Sequence, residues 1–525
     1  MPGIITYKFR LNNAKQVYES FVDDANDLDR YYTFLARSIP WSDDSAPPTP
    51  VDCVSNTDYR VWDNMIATKR ITQADIRHSV PRYNWTTGTV YQNYRDDIYL
   101  YDKQFYVVTD NYDVYKCIDN NGGATSTVKP TSTATTVFAT ADGYTWKYMY
   151  TINAADVLKF VTTDYLPVKT LTADDSSSQW TVQQAAVNGA IEFVSVSNGG
   201  SDYLQASGTL ASVTDSENVT LASDASGTDD VYVGSTIYIT GGVGAGQLRD
   251  VVNYVGATKA VRVSPAFVTT PDGTSTYYVG PKVTISGVDG SGATAYANVT
   301  LPARSDLAVG NSINKIIVLT RGSDYNKPSV TVTANTSHGT GATAFAYHTP
   351  FGGHGSNAID ELGGFNLILN VRMEGSESNV FITGNDFRTV GIIKNPKLDT
   401  TGLEANSTVY DLTTKLTVSS KSGSFSPDEV IRGLTSSANA YFVSFANTNA
   451  TGTKGVISVT GLDGTFTASE TIQGDTSAVT ADIDVDGINN RDLADFEGDA
   501  LYIENRYPVS RATDQTEDIK LVIRY

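Results

Sequence analysis

A mainly β, multidomain chain follows from three observations. β-branched and aromatic runs alternate with turn clusters of Gly, Ser, Asp and Thr over most of the sequence. Two separate stretches recur within the chain. Charged residues make up only 18% while Gly (43) and Tyr (31) are plentiful, which suits sheets half-facing water rather than long helices or disorder. At 525 residues the length fits roughly three or four domains. The expected architecture is a β-sandwich-like body with a few short N-terminal helices and inserted small β domains.

From the N-terminus, residues 11–37 carry the best helical pattern: Asn12 or Asn13 is placed to cap, and Val17, Phe21, Leu28, Tyr31 and Tyr32 recur near helical spacing. A second short helix is predicted over 58–67. Pro40, Pro47-Pro48-Thr49-Pro50 and Pro81 interrupt both neighbourhoods, and from Tyr99 onward strands are predicted. The clearest are 106–108, 113–118 and 144–150, and 366–371, 390–393 and 519–525 also read as strands. The Gly-, Thr- and Ser-rich segment 121–140 is expected as a loop with few anchors, either mobile or pinned by a neighbour.

The first duplication pairs Ile191, Val194, Val196 and Gly200-Ser201-Asp202-Tyr203 with Ile313, Ile316, Val318 and Gly322-Ser323-Asp324-Tyr325. Its second half pairs Pro281, Val283-Thr284-Ile285 and Gly290-Ser291-Gly292-Ala293-Thr294-Ala295 with Pro328, Val330-Thr331-Val332 and Gly339-Thr340-Gly341-Ala342-Thr343-Ala344. Residues 204–279 separate the halves of the first copy, so the junction after Tyr203 is expected at an exposed turn where chain is added at small entropic cost. A second duplication pairs Phe425, Glu429, Gly433, Thr435-Ser436 and Ala440 with Phe466, Glu470, Gly474, Thr476-Ser477 and Ala481. Two copies are too few for a stacked solenoid, so both are read as local modules on a larger body.

Composition also excludes function classes. A net charge of -20 without a Lys/Arg stripe argues against nucleic-acid binding. Two cysteines, Cys53 and Cys117, are fewer than a disulfide-built secreted domain carries, and both are expected reduced. No secretory leader and no membrane span are legible, which points to folding in a cytoplasm.

Several motifs imitate chemistry. Asp482-x-Asp484-x-Asp486-Gly487 matches the first half of a calcium loop, but position twelve is Leu493 and the alternating Ile483 and Val485 read as a strand. Gly241-Gly242-Val243-Gly244-Ala245-Gly246-Gln247-Leu248 lacks the Lys and Ser/Thr of a phosphate-binding loop and reads as a hairpin turn. His338, His348 and His354 would hold a metal only if strands gathered them. Cys53 with His78 makes a nucleophile pair only on paper, because nothing near Cys53 lowers its pKa. No catalytic, cofactor-binding or metal residue is therefore assigned, no cofactor or small-molecule substrate is expected, and the chain is read as a non-enzyme.

The non-repeated segments carry a further signal. In order they are Lys8-Phe9-Arg10, Phe34-x-x-Arg37-Ser38-x-Pro40-Trp41, Trp62 with Met65, Val80-Pro81-Arg82 with Trp85, Val114-Tyr115-x-Cys117, and Asp142-Gly143-Tyr144-x-Trp146-x-Tyr148. Toward the end come Phe387-Arg388, Asn395-Pro396, Glu504-Asn505-Arg506-x-Pro508 and Asp514-Gln515-Thr516-Glu517. Collinear over both ends, these blocks resemble the gene-eight baseplate wedge protein of T-even-type contractile-tailed phages. The resemblance implies a wedge-family body over 1–180, 351–410 and 488–525. Into it are set a β-repeat region at 181–350, with a nested β module at 204–279, and a paired β-repeat at 411–487.

It further implies a structural subunit that forms a homodimer and joins other wedge proteins in a sixfold assembly. Such a subunit would transmit the change that triggers sheath contraction, in a virion baseplate assembled in the host bacterial cytoplasm. Of the tryptophans, Trp62 and Trp146 have apolar flanks that suit a core, whereas Trp41, between Pro40 and Ser42-Asp43-Asp44, is the candidate for contact with a partner subunit. A rival reading is a tail spike or adhesin binding host glycans through Tyr277, Tyr278, Tyr296 and Phe345; a glycan-cleaving spike is a third.

Overall fold

The computed structural model describes residues 3–21, 29–53, 61–300, 311–335, 338–374, 377, 380–381, 385–510 and 516–525. The chain is mostly β and divides into two compact units, one of Met1–Val80, Ala155–Val168 and Gly364–Tyr525, the other of Pro81–Ala154 and Lys169–Gly363.

The first unit holds two open sheets and a barrel. In the five-stranded sheet the order is Val409–Asp411, Met65–Ile71, Tyr31–Ala36, Asp386–Lys394, Asp499–Ser510. The four-stranded sheet runs Thr516–Arg524, Asn366–Glu374, Ile76–Pro81, Tyr165–Val168. Tyr32, Phe34, Trp62, Met65, Ile393 and Leu412 share one core.

The helix expected over 11–37 is instead two elements. A helix spans Tyr7–Ser20, capped by Thr6 rather than Asn12 or Asn13, with Leu11 and Ala14 on its buried side. Tyr31–Ala36 is a strand between two others, buried at all six positions. A strand covered on both faces has a continuous apolar run, which spacing alone cannot tell from a helix. Phe21, at the helix end, stacks on Tyr31 with ring centroids 4.1 Å apart. The helix expected over 58–67 falls partly outside the described residues; 61–64 are helical and Met65–Ile71 is strand. Short helices also occur after Tyr99, at Ala154–Phe160, Ser178–Gln184 and Ala358–Leu362.

The second duplication closes a six-stranded barrel in the order Thr414–Ser419, Gly455–Asp463, Asn439–Asn447, Val430–Gly433, Thr471–Gly474, Thr480–Asn489. Each copy supplies a buried glutamate to the turn of the other. Glu429 accepts from the Thr476 and Ser477 N–H groups at 3.0 and 2.8 Å, and Glu470 accepts from those of Thr435 and Ser436 at 3.1 and 2.9 Å.

In the second unit, Tyr106–Val108, Asp113–Asp119, Thr145–Thr151 and Phe138–Ala139 form a four-stranded sheet in that order. The first duplication is interleaved. Ile191–Ser201 of copy one pairs with Thr340–His348 of copy two, and Ser312–Ser323 of copy two pairs with Ser291–Thr300 of copy one. The Gly-Ser-Asp-Tyr motif explains the interlock. Gly200 and Asp202 (φ 64° and 63°), like Gly322 and Asp324 (both 60°), turn the chain through the left-handed region and place the following tyrosine beneath the other copy. There the Tyr203 hydroxyl accepts from Ala342 N–H at 3.2 Å, and the Tyr325 hydroxyl accepts from Ala293 N–H at 3.1 Å. A Cβ on Gly339 would lie 2.3 Å from the Tyr203 ring, and one on Gly290 would lie 2.4 Å from Tyr325, so both rings sit where only glycine leaves room.

Within residues 204–279, Leu210, Val219, Leu221, Ile237, Val261 and Tyr277 among others share one core. The strand Thr276–Ser286 serves both neighbours: its first half pairs with Ala206–Thr209 and Ser235–Gly241, its second with Ser329–Thr333. Because Ala206 lies opposite Val279, the module's two ends are side by side. Replacing residues 205–279 by a short Gly-Ser linker should therefore leave the interleaved repeat folded. The check is soluble yield and hydrogen exchange of 191–203 and 312–348, and loss of protection there would refute it.

Candidate functional site

Blocks far apart in sequence meet on the five-stranded sheet. Arg37, Trp41 and Asp44 follow the strand Tyr31–Ala36, and the chain there lies against Asp386–Lys394 and Asp499–Ser510. The Arg37 guanidinium lies 3.8 Å from the centroid of the Trp41 ring, and Trp41 Nε1 donates to the Arg506 carbonyl at 3.0 Å. Arg388, buried, grips Asp44 bidentately with both distances 2.9 Å and also donates to the Ser38 carbonyl. That bidentate pair holds the Asp44 carboxyl below its usual range. Asn505 Nδ2 donates to the Pro48 carbonyl at 2.8 Å. Trp41 is thus engaged within the chain, on Arg37 and Arg506, where sequence reasoning reserved it for a partner. The Asp386–Lys394 strand is held at its far end as well, where Asn395 Oδ1 accepts from Arg30 N–H at 2.6 Å.

In the second unit Asp142 pins the 121–140 loop. Its carboxylate accepts from Thr127 and Val128 N–H at 2.7 and 2.9 Å, from Ser126 Oγ at 3.2 Å and from Thr140 Oγ1. Burial works against the charge, but these donors outweigh it and hold the carboxyl down at about 2. Ser126 Oγ is also reached by Trp85 Nε1 at 3.2 Å.

Residues 3–128 match the family model described as bacteriophage T4 Gp8. Over that stretch the chain is similar to the Gp8 family, and the match covers less than half of the chain. No curated protein matches it. Gp8 is a baseplate wedge protein, and the match supports a structural role in a phage tail baseplate. The match holds Arg37, Trp41 and Asp44, while their partners Arg388 and Arg506 lie outside it.

A second polar constellation lies in the second unit. Lys116, on the central strand Asp113–Asp119, is fully buried and places Nζ 3.0 Å from Glu361 Oε2 and 2.9 Å from His354 Nδ1. Glu361 Oε1 accepts from the N–H groups of Gly355 and Asn357 at 2.7 and 3.3 Å. The Tyr94 ring lies under Lys116 Nζ at 4.2 Å and meets the His354 ring edge-on. Burial outweighs the attraction of Glu361 and lowers the Lys116 pKa. Burial, with Lys116 beside it, takes His354 down to about 3. The legible signal was a lone lysine inside Val114-Tyr115-Lys116-Cys117-Ile118, an apolar run with no solvent face.

The other singled-out residues are dispersed. Among the described residues no cluster of three His, Cys, Asp or Glu is placed to hold a metal ion. Asp482, Asp484 and Asp486 lie on the barrel strand Thr480–Asn489, where Asp482 accepts from Thr471 Oγ1 at 2.7 Å. The Gly241–Leu248 stretch turns between strands Ser235–Gly241 and Leu248–Val255. His348 lies against Asp96, and His338 N–H donates to Asn335 Oδ1 at 2.8 Å. Cys53 is exposed, whereas His78 is buried with Nδ1 on the Gly364 carbonyl at 2.7 Å. Trp62 and Trp146 are fully buried. Tyr277, offered as a glycan platform, is a core residue whose hydroxyl accepts from Ala222 N–H at 3.0 Å, and Tyr278 and Tyr296 are half-buried against each other. Phe345 alone of the four is exposed. Among the described residues no helix is long and apolar enough to cross a membrane.

Proposed function

We infer that this chain is a wedge subunit that pairs with a second copy and joins other wedge proteins in a sixfold baseplate. There it passes on the conformational change that triggers sheath contraction, after assembly in the host cytoplasm. The observation that carries this reading is the Gp8 match over 3–128. The duplicated stretches 181–350 and 411–487 are then additions to a wedge body made of 1–180, 351–410 and 488–525.

The strand Asp499–Ser510 supports the pairing. It lies at the edge of the five-stranded sheet and carries Leu501, Tyr502 and Tyr507, 53%, 39% and 64% exposed. Edge strands offer unpaired backbone groups, and Tyr is enriched where proteins meet. A subunit that changes partners' arrangement needs exchangeable, partly polar contacts of this kind rather than one large apolar seam. Absolute mass by light scattering after size exclusion should give a dimer, and Leu501→Glu with Tyr507→Glu should shift it to monomer. A stable trimer, or a dimer untouched by the double substitution, would count against this surface.

A further inference from the structure

The Lys116–His354–Glu361 constellation is more than a buried ion pair. A buried pair needs only good geometry and satisfied lone pairs. Here a single imidazole nitrogen touches both would-be reacting groups: His354 Nδ1 lies 2.9 Å from Lys116 Nζ and 3.4 Å from Glu361 Oε2. The other carboxylate oxygen, Oε1, faces two backbone N–H donors, those of Gly355 and Asn357. His354 Nε2 is buried with no hydrogen-bond partner among the described residues, so no outer contact fixes its tautomer. Nucleophile, proton carrier, leaving oxygen and oxyanion donors are therefore all present in one site shut off from water.

We propose that Lys116 and Glu361 condense into an intramolecular isopeptide bond, with His354 as the catalytic base and acid. In the ionic pair the ammonium passes one proton through His354 Nδ1 to the carboxylate, leaving an amine and a carboxylic acid. Lys116 Nζ then attacks Glu361 Cδ and a C–N bond forms, while negative charge gathers on Oε1 against the Gly355 and Asn357 N–H groups. His354 takes the second proton from Nζ and delivers it to Oε2, the Cδ–Oε2 bond breaks, and one water leaves. Nothing is oxidised or reduced, and no co-reactant is needed. Burial favours the amine form of Lys116, which is the nucleophile, while Lys116 and His354 favour the ionised form of Glu361, so the initial proton transfer is the uphill step. The bond would tie the central strand Asp113–Asp119 to the helix Ala358–Leu362. A covalent tie between elements so distant in sequence suits a subunit loaded mechanically, although the chemistry rests on the geometry and not on the wedge role.

Peptide mapping by mass spectrometry of the full-length purified chain tests it. The expected result is a branched peptide joining the segments with residues 116 and 361, lighter than their sum by one water. Glu361→Gln should give the same branched product with loss of ammonia instead. His354→Phe should slow its appearance by about 100-fold or more, the scale of lost general acid–base catalysis. Lys116→Met should abolish it. Wild-type chain that is folded by circular dichroism yet yields only the two separate peptides after prolonged incubation would overturn the proposal, as would loss of water that persists in Lys116→Met. Neither outcome depends on the oligomeric state.

Discussion

Glu429→Ala and Glu470→Ala are each expected to destabilise the C-terminal barrel by about 3–5 kcal/mol, because each strands a set of buried donors. Glu429 accepts from the N–H groups of Ser426, Thr476 and Ser477 at 2.7, 3.0 and 2.8 Å and from Ser477 Oγ at 2.7 Å. Glu470 repeats this with Thr467, Thr435 and Ser436 N–H at 2.6, 3.1 and 2.9 Å and Ser436 Oγ at 2.8 Å. The carboxylate fills space that glycine leaves in the opposite turn: a Cβ on Gly474 would meet Glu429 at 2.5 Å, and one on Gly433 would meet Glu470 at 2.7 Å. Burial alone would raise both pKa values, but the donors outweigh it and both carboxyls sit below the ordinary 4.5. A depressed carboxyl contributes stability that is present above its unfolded value and is lost as pH falls through the folded one. Hydrogen exchange of 426–489 during urea unfolding reads the effect within a multidomain chain, where one global transition is not assured. Comparable losses in the two variants are the signature of reciprocal capping; an unaffected barrel in either would refute it.

The repeats show how far the sequence could be read. Glu429 and Glu470, or Tyr203 and Tyr325, were visible as recurring letters, and recurrence marked them as structural. What recurrence could not show is that each serves the opposite copy, since strand exchange leaves the period unchanged. Period-two runs placed the strands Tyr106–Val108, Asp113–Asp119 and Asn366–Glu374 closely, because β-branched and aromatic alternation has few other solutions. Tyr31–Ala36 was misread because burial on both faces erases the period. Asp142 was quoted within a block, but its role in anchoring the 121–140 loop needed coordinates. So did the docking of Arg388 on Asp44, which brings together residues far apart in the chain. Lys116 stands out as a lone lysine in an apolar run, but no pattern in the sequence ties it to Glu361.

Mild acid is expected to destabilise the unit that carries His354, beginning well above the range where carboxylates titrate. The imidazole is buried against Lys116, Glu361, the Tyr94 ring and the nearby charge of Lys147, and burial followed by Lys116 lowers its pKa from 6.5 to about 3. Between those values the unfolded chain binds a proton that the folded chain refuses. Stability is therefore whole above the unfolded value and falls by about 1.4 kcal/mol for each pH unit on descent toward the folded one. Before any condensation, Glu361, held at about 2 against its own burial by Lys116 and His354, adds a loss of the same sign only below 4.5; once joined to Lys116 it no longer titrates. Glu192, whose carboxyl burial raises above 4.5, works with the opposite sign near the lower end of this window, so the histidine is isolated by the difference between wild type and His354→Phe. Urea unfolding read by hydrogen exchange of peptides within 106–151 should show that slope in the wild type, and His354→Phe should flatten it there while leaving the steeper loss at lower pH. A wild-type profile that stays flat across the window would mean that His354 takes up its proton in the folded state, and the neutral, buried imidazole would have to be abandoned.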